Sequence, residues 1–441
     1  MRIRGWNVFV FAALIAMPGL QTRAAFAQEK LYAQTASAEF ELPYGIPLAG
    51  YSKRKGEPFA GVHDPVGVRA ISFLSGGNTV VLASCDLLII DEELASAVRA
   101  RVRSLGLSDD VHILLAATHT HSGPGAYGRR FAEKISMGHF DATFARWLTE
   151  TIAQTIVRAT QNVRPVQVAY ASAEAPGLVQ NRMDEKGIVE DEVDVVAVYA
   201  LEQESRVDPD VIDQNDSVRF VLHKRPLAVL VNFAAHPTTL GAWNRKASAD
   251  YPGVLRDELQ KRFPGSTVLF FAAAVGDQAP VKEGEGFERA VRIGKPLADR
   301  VEALLKTAQP DASAVVAAKA RVMTLDKPQI RVGFLRWLPW LGRHLADDDA
   351  TLSIARVGPV VFAGIPCDLT AGLGREIKAA ARAQQLSPML IGFADDYIGY
   401  CLPSELYDSD AYEAKMAFNG PHTGERVTQA LIDMVRDVAA P

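Results

Sequence analysis

Two histidines stand two residues apart in Ala117-Thr118-His119-Thr120-His121-Ser122-Gly123-Pro124-Gly125. On an extended backbone such a pair shares one face, whereas a turn splays it. Either geometry suits a metal, which neutral imidazole commonly ligates. Taken alone, the pair reads equally well as two hydrogen-bonded core histidines. The trailing Ser-Gly-Pro-Gly favours a site, because glycine lets the backbone approach a bound group and turn sharply away. A third histidine, His236, ends an apolar run and precedes Pro237, which enforces an extended or turned backbone at the histidine itself.

Asp368 and Tyr400 could join them. Asp368 opens what reads as a helix after a strand, where aspartate ordinarily caps free amides. Tyr400 by itself reads as a packed aromatic; a phenol ligates a metal only by ionising below its usual pKa of ~10, which a divalent cation permits. Gly276-Asp277-Gln278-Ala279-Pro280 offers backbone donors, an outer carboxylate or a plain turn. Asp250 reads as a helix cap or a site residue. Asn181-Arg182 lies in a polar loop and could meet an anionic or carbonyl oxygen.

These residues need positioning elements. Strand-length apolar runs cover Thr79 to Ser84, Val111 to Ala116, Leu227 to Phe233, Thr267 to Ala272, Pro359 to Gly364 and Met389 to Phe393. Amphipathic helices are predicted over Glu92 to Arg103, Asp141 to Thr160, Pro252 to Arg262, Ala290 to Lys306, Ala371 to Gln385 and Thr428 to Val438. The fold class is therefore α/β (mixed α+β), a large central β-sheet region with flanking helices. Polar turns bearing His119, His236, Asp368 and Tyr400 follow four of the runs. If those strands are neighbours, the turns face one crevice at the strand carboxyl ends.

Residues 1–27 combine a basic start, an apolar run and Ala25-Phe26-Ala27, the layout of a secretory signal peptide cleaved near Ala27. A secreted or periplasmic catalytic domain over residues 28–441 is the resulting expectation. A formal charge of −5 leaves no footprint for nucleic acid. No obligate protein partner is evident. Three cysteines, Cys85, Cys367 and Cys401, cannot build a disulfide framework in a chain this long. Cys85 fits a strand core, while Cys367 and Cys401 fit either one bridge or two buried thiols.

On Ala117 to Gly125 and on Tyr397-Ile398-Gly399-Tyr400 followed by Tyr412-Glu413, the chain resembles the neutral/alkaline, non-lysosomal ceramidases. Leu48-Ala49-Gly50-Tyr51, Gly61-Val62-His63, Arg69-Ala70, Asn181-Arg182, His236-Pro237 and Gly276-Asp277 extend the resemblance from about residue 40 to residue 420. It implies a zinc ion (Zn2+) held by His119, His236, Asp368 and Tyr400. It further implies that His121 and Tyr412 serve catalysis, that Asn181, Arg182, Gly276 and Asp277 bind substrate, and that the substrate is an N-acyl sphingosine or related N-acyl lipid.

Two positions depart from the family pattern. The family's Pro-Gly-Glu reads Pro366-Cys367-Asp368, and its Gly-Asp-Val-Ser-Pro-Asn reads Gly276-Asp277-Gln278-Ala279-Pro280-Val281. Ala279 excludes a serine nucleophile at that turn, so the expected chemistry is hydrolysis by a metal-activated water. Longer members append a carboxyl-terminal β-sandwich, which this sequence is not expected to carry. Arg331 to Leu341, rich in aromatics and arginine, reads as a lipid-contacting rim for peripheral membrane contact or as an ordinary loop. The rival functions are another amide or ester hydrolase, a non-catalytic periplasmic binding protein, and a serine or cysteine hydrolase using Cys367 or Cys401.

Overall fold

The structure, a computed structural model, describes residues 30–203, 220–329, 331–332, 335–336 and 347–439. The expected signal peptide lies outside the described residues. So does most of the stretch 331–341, of which only the short strands Arg331–Val332 and Leu335–Arg336 are described.

Eight strands form the body of the first sheet: β1 (Tyr32–Glu39), β2 (Gly67–Ser75), β3 (Asn78–Cys85), β4 (Val111–Ala117), β5 (Arg164–Glu174), β6 (Glu192–Gln203), β7 (Ala228–Phe233) and β8 (Thr267–Ala272). Their order is β8-β7-β6-β5-β1-β2-β3-β4. The pairs β7/β8 and β3/β4 are parallel and the rest antiparallel. A second sheet runs β9 (Val316–Thr324), β10 (Asp349–Val357), β11 (Val360–Ile365) and β12 (Ser387–Gly392), with only β11/β12 parallel. The helices longer than ten residues are α1 (Glu92–Ser104), α2 (Ala142–Ala159), α3 (Tyr251–Arg262), α4 (Glu288–Leu305), α5 (Ala371–Ala383) and α6 (Thr423–Ala439).

Alternation along the strands stacks these into four layers. In β3, Val81, Ala83 and Cys85 join Val98 of α1 and Ile152 of α2 in one core. Val80 and Leu82 point the other way, into an apolar layer shared with Phe362 of β11 and Ile391 of β12. The second sheet's outer face packs Val361 and Ile354 against Ile377 of α5 and Leu431 of α6. Strands buried on both faces must read as continuous apolar runs, and β3, β4, β7, β8, β11 and β12 do. Helices thus cover the outer face of each sheet, and among the described residues no helix is long and apolar enough to cross a membrane.

The strands before His119 and His236 are not neighbours. β4 ends the strand order and β7 lies next to its other end. Twist accumulated across the sheet curls its ends together: Ser84 Oγ on β3 donates to the Phe270 carbonyl on β8 at 2.5 Å. β12 lies against both ends, since the Asn232 side-chain amide on β7 donates to the Leu390 carbonyl and the Ala117 amide donates to the Phe393 carbonyl at 3.1 Å. The strands before Asp368 and Tyr400, β11 and β12, are neighbours, and curl together with the second sheet brings the turns of His119 and His236 to them.

Candidate metal centre

Past β4 the backbone reverses at His119, whose φ of 63° is left-handed and costly for a residue with a Cβ. Its ring stacks on Phe393 with centroids 3.6 Å apart, and its Nδ1 lies 2.6 Å from the Leu88 carbonyl. Nδ1 of His236 lies 3.1 Å from the Val275 carbonyl. Nδ1 of His121 lies 3.0 Å from the Gly50 carbonyl. A carbonyl only accepts, so each Nδ1 carries the proton and each Nε2 keeps its lone pair. Gly50, at φ 103°, is required here, because a Cβ on it would meet the His121 Cβ at 2.6 Å.

The three lone pairs converge. Nε2 of His119 lies 2.8 Å from Nε2 of His236 and 3.2 Å from Nε2 of His121. Burial holds the pKa of His119 and His236 well below the usual range and lowers His121 to about 3. With no proton between them, opposed lone pairs at this distance repel. A cation removes the repulsion: tetrahedral ligands at ~2.0–2.1 Å stand ~3.3 Å apart. Among the described residues these three histidines are the cluster of histidine, cysteine and carboxylate side chains that could hold a metal.

Asp368 and Tyr400 flank this cluster. They are paired residues of two short parallel strands, Asp368–Leu369 and Tyr400–Cys401. Oδ1 of Asp368 is buried without a hydrogen-bond partner and lies 3.8 and 3.7 Å from Nε2 of His119 and His236. Its Oδ2 accepts from the Tyr397 hydroxyl at 2.8 Å. Burial pushes the carboxyl up to about 7 against the pull of Arg182. Burial and Asp368 also raise the Tyr400 phenol, and Arg182 opposes them. A buried orphan carboxylate oxygen, a buried phenol and facing imidazole lone pairs fit a divalent cation. Asp368 is not the cap of α5: that amide, on Ala371, donates to Oδ1 of Asp277 at 2.8 Å.

The other expected site residues sort by what they touch. Arg182 donates to the Tyr400 hydroxyl at 2.9 Å and to the Gly276 carbonyl at 2.7 Å, and pairs with buried Glu413 at 2.9 Å. Asn181 bonds Asp277 Oδ2 at 3.0 Å and the Ile188 carbonyl at 2.9 Å, so both side chains hold the frame around Arg182. Gly276 packs under Asp368, where a Cβ would meet its carbonyl at 2.6 Å. Tyr412 is 60% exposed, its ring edge-on to Tyr400 at 5.8 Å. Asp250 caps α3, accepting from the Tyr251 amide at 2.7 Å.

Cys85, Cys367 and Cys401 are buried free thiols. Burial raises the Cys367 thiol well above its ordinary value, which does not suit a nucleophile. Reading the sequence did not single out Phe393 and Tyr397 as supports, nor Arg54, a buried arginine that donates to the Ala49 and His121 carbonyls at 2.7 and 2.6 Å. The one signal for Arg54 was its place just after Gly50-Tyr51.

Residues 43–290 match the family model described as neutral/alkaline non-lysosomal ceramidase, N-terminal. A neutral ceramidase of Pseudomonas aeruginosa is 22% identical over 88% of this chain and 69% of its own length. Neutral ceramidase B of Dictyostelium discoideum is 26% identical over 47% of the chain, and one from Mycobacterium tuberculosis is 26% identical over 54%. The aligned parts span only 28% and 38% of those two relatives. Among solved structures, one titled "Ceramidase complexed with C2" superposes with a TM-score of 0.78 at 18% identity, over 92% of this chain and 75% of that one. The crystal structure of neutral ceramidase from Pseudomonas aeruginosa gives 0.76 at 19% identity, over 93% and 74%.

Proposed function

The chain belongs to the neutral/alkaline non-lysosomal ceramidase family, and from that premise we propose that it is a secreted, zinc-dependent hydrolase that cleaves the amide of an N-acyl sphingosine or related N-acyl lipid. The observation that carries the reading is the convergence of three Nε2 lone pairs beside the orphan Oδ1 of Asp368. His119, His236, Asp368 and Tyr400 would hold the ion. Bound there, zinc would supply Lewis acidity, lowering the pKa of a water toward ~7 and polarising a carbonyl.

The protein's own groups then divide the proton work. His121 keeps its Nδ1 proton on the Gly50 carbonyl, so its Nε2 receives the water's proton and delivers it to the leaving amine nitrogen. Tyr412, exposed beside Tyr400, donates a hydrogen bond to the carbonyl oxygen as negative charge develops there. Arg182 holds Tyr400 and Glu413 in place from behind. Burial of His119, His236, Asp368 and Tyr400 strengthens the interactions among them relative to water.

The test is turnover of a fluorogenic N-acyl sphingosine before and after chelation. The reading predicts activity that disappears on chelation and returns with added zinc. Turnover that survives chelation and stops on thiol alkylation would instead support a cysteine hydrolase. A protein inert with and without zinc, yet able to bind the lipid, would support a binding protein.

A further inference from the structure

We propose that the open end of the layer between the two sheets is a second binding site, for a small amphiphilic molecule with an anionic head group. A cleft of about 610 Å³ opens there between the first residues of β3 and β4, the end of α1, and strands β9 and β10. It is remote from the metal centre: the cleft touches Val111 to Ile113 at the start of β4, whereas His119 follows its end. The strand from His112 to Ala117 alone spans ~17 Å at ~3.3 Å per residue.

The walls are half of a core that is not filled. Val316 of β9 is buried in the inter-sheet layer, and alternation puts Ala318, Ala320 and Val322 on the same face. All three are exposed, and Ala318 and Ala320 line the cleft. Val111, partly exposed at the start of β4, lines the cleft as well. A volume of this size is within the range of small-molecule sites, and its lining sets a few apolar side chains among polar and charged ones such as Arg99, His112, Lys319 and Ser353.

Two polar atoms in the lining mark where a head group sits. Ser353 is 1% exposed, and its Oγ has no hydrogen-bond partner. Nε2 of His112 is likewise buried and unpartnered. Both side chains face the inter-sheet layer, because His112 alternates with Leu114 and Ser353 with Ala355, which are part of it. Buried polar atoms without partners are rare in native proteins and call for a ligand or water. Arg99, fixed by the Asp395 carboxylate and the Ile113 carbonyl, lines the same cleft. Ser353 and His112 can donate, Arg103 and Lys319 add positive charge beside the paired Arg99, and among the described residues the lining carboxylates, Asp109 and Asp110, are on the exposed loop after α1. The complementary head is an acceptor-rich anion, with its apolar body along Val111, Ala318 and Ala320.

The probe is octanoate, titrated calorimetrically into the metal-loaded protein and again after chelation, with 1-octanol as the uncharged control. The proposal predicts saturable octanoate binding that survives chelation and exceeds 1-octanol binding at least tenfold. Ala320→Trp, which fills the cleft from an exposed position, should weaken it at least tenfold without changing the melting temperature or metal-dependent turnover. Ser353→Ala should weaken it severalfold and serves alone if the tryptophan variant misfolds. Absence of saturable binding, binding lost on chelation, or binding unchanged in the variants would overturn the proposal. Because the readout is binding at a site distant from the metal, failure here leaves the hydrolase reading untouched, and the reverse also holds.

Discussion

Each histidine of the candidate metal centre is oriented by a different backbone carbonyl, of Leu88, Gly50 or Val275. Those bonds fix the tautomer, leaving Nε2 of His119 and His236 to meet a cation and Nε2 of His121 beside them to carry a proton. His119→Ala and His236→Ala should each lose the metal and at least ~100-fold in turnover, beyond the ~10–100-fold typical of outer partners. Circular dichroism should show both variants folded. Tyr397→Phe removes the bond to Oδ2 of Asp368 and should weaken metal affinity by ~10–100-fold in a chelator competition. Asp368→Ala should release metal more readily than Asp250→Ala, whose carboxylate caps α3; equal retention would remove Asp368 from the ligand set.

At the scale of elements, a buried charge network ties α5 to the first sheet. Lys378 is fully buried and meets Asp194 at 2.8 Å, Glu192 at 2.9 Å and Glu190 at 3.2 Å. Lys378→Met would leave buried Asp194 without a cationic partner, whereas Glu190 keeps Arg375, and should cost ~3–5 kcal/mol in urea unfolding. Burial alone would raise the Glu192 carboxyl, but Lys378 and Arg382 bring it down to about 2, from 4.5 for an unperturbed glutamate. Because the folded value is the lower, this stability is complete above pH ~4.5 and is lost as pH falls toward ~2. Glu192→Gln should therefore flatten the acid limb of the unfolding midpoint against pH; an unchanged limb would assign it to other carboxyls. The strands that carry the ligand turns were legible because β4, β7, β11 and β12 are apolar on both faces. β1 and β9 were not, since polar residues such as Gln34, Ser37, Lys319 and Arg321 interrupt them where one side meets solvent.

For the whole molecule, the centre lies where the curled ends of one sheet meet two strands of the other. That convergence depends on twist accumulated over the sheet and on β12 lying against both ends, neither of which local sequence encodes. The residue types were legible in the His-x-His and Tyr-x-x-Tyr spacings, whereas their supports, Phe393 under His119 and Asp277 on α5, depend on contacts distant in the chain. A cation bound there ties together both sheets, so zinc at ~1,000 times its dissociation constant should stabilise the fold by ~4 kcal/mol, read as a rise in melting temperature over chelated protein. The most direct measurement is the metal content of purified protein by elemental analysis, wild type beside His236→Ala. The account predicts one zinc per wild-type chain and none in the variant; wild-type protein that turns over substrate without bound metal would contradict it.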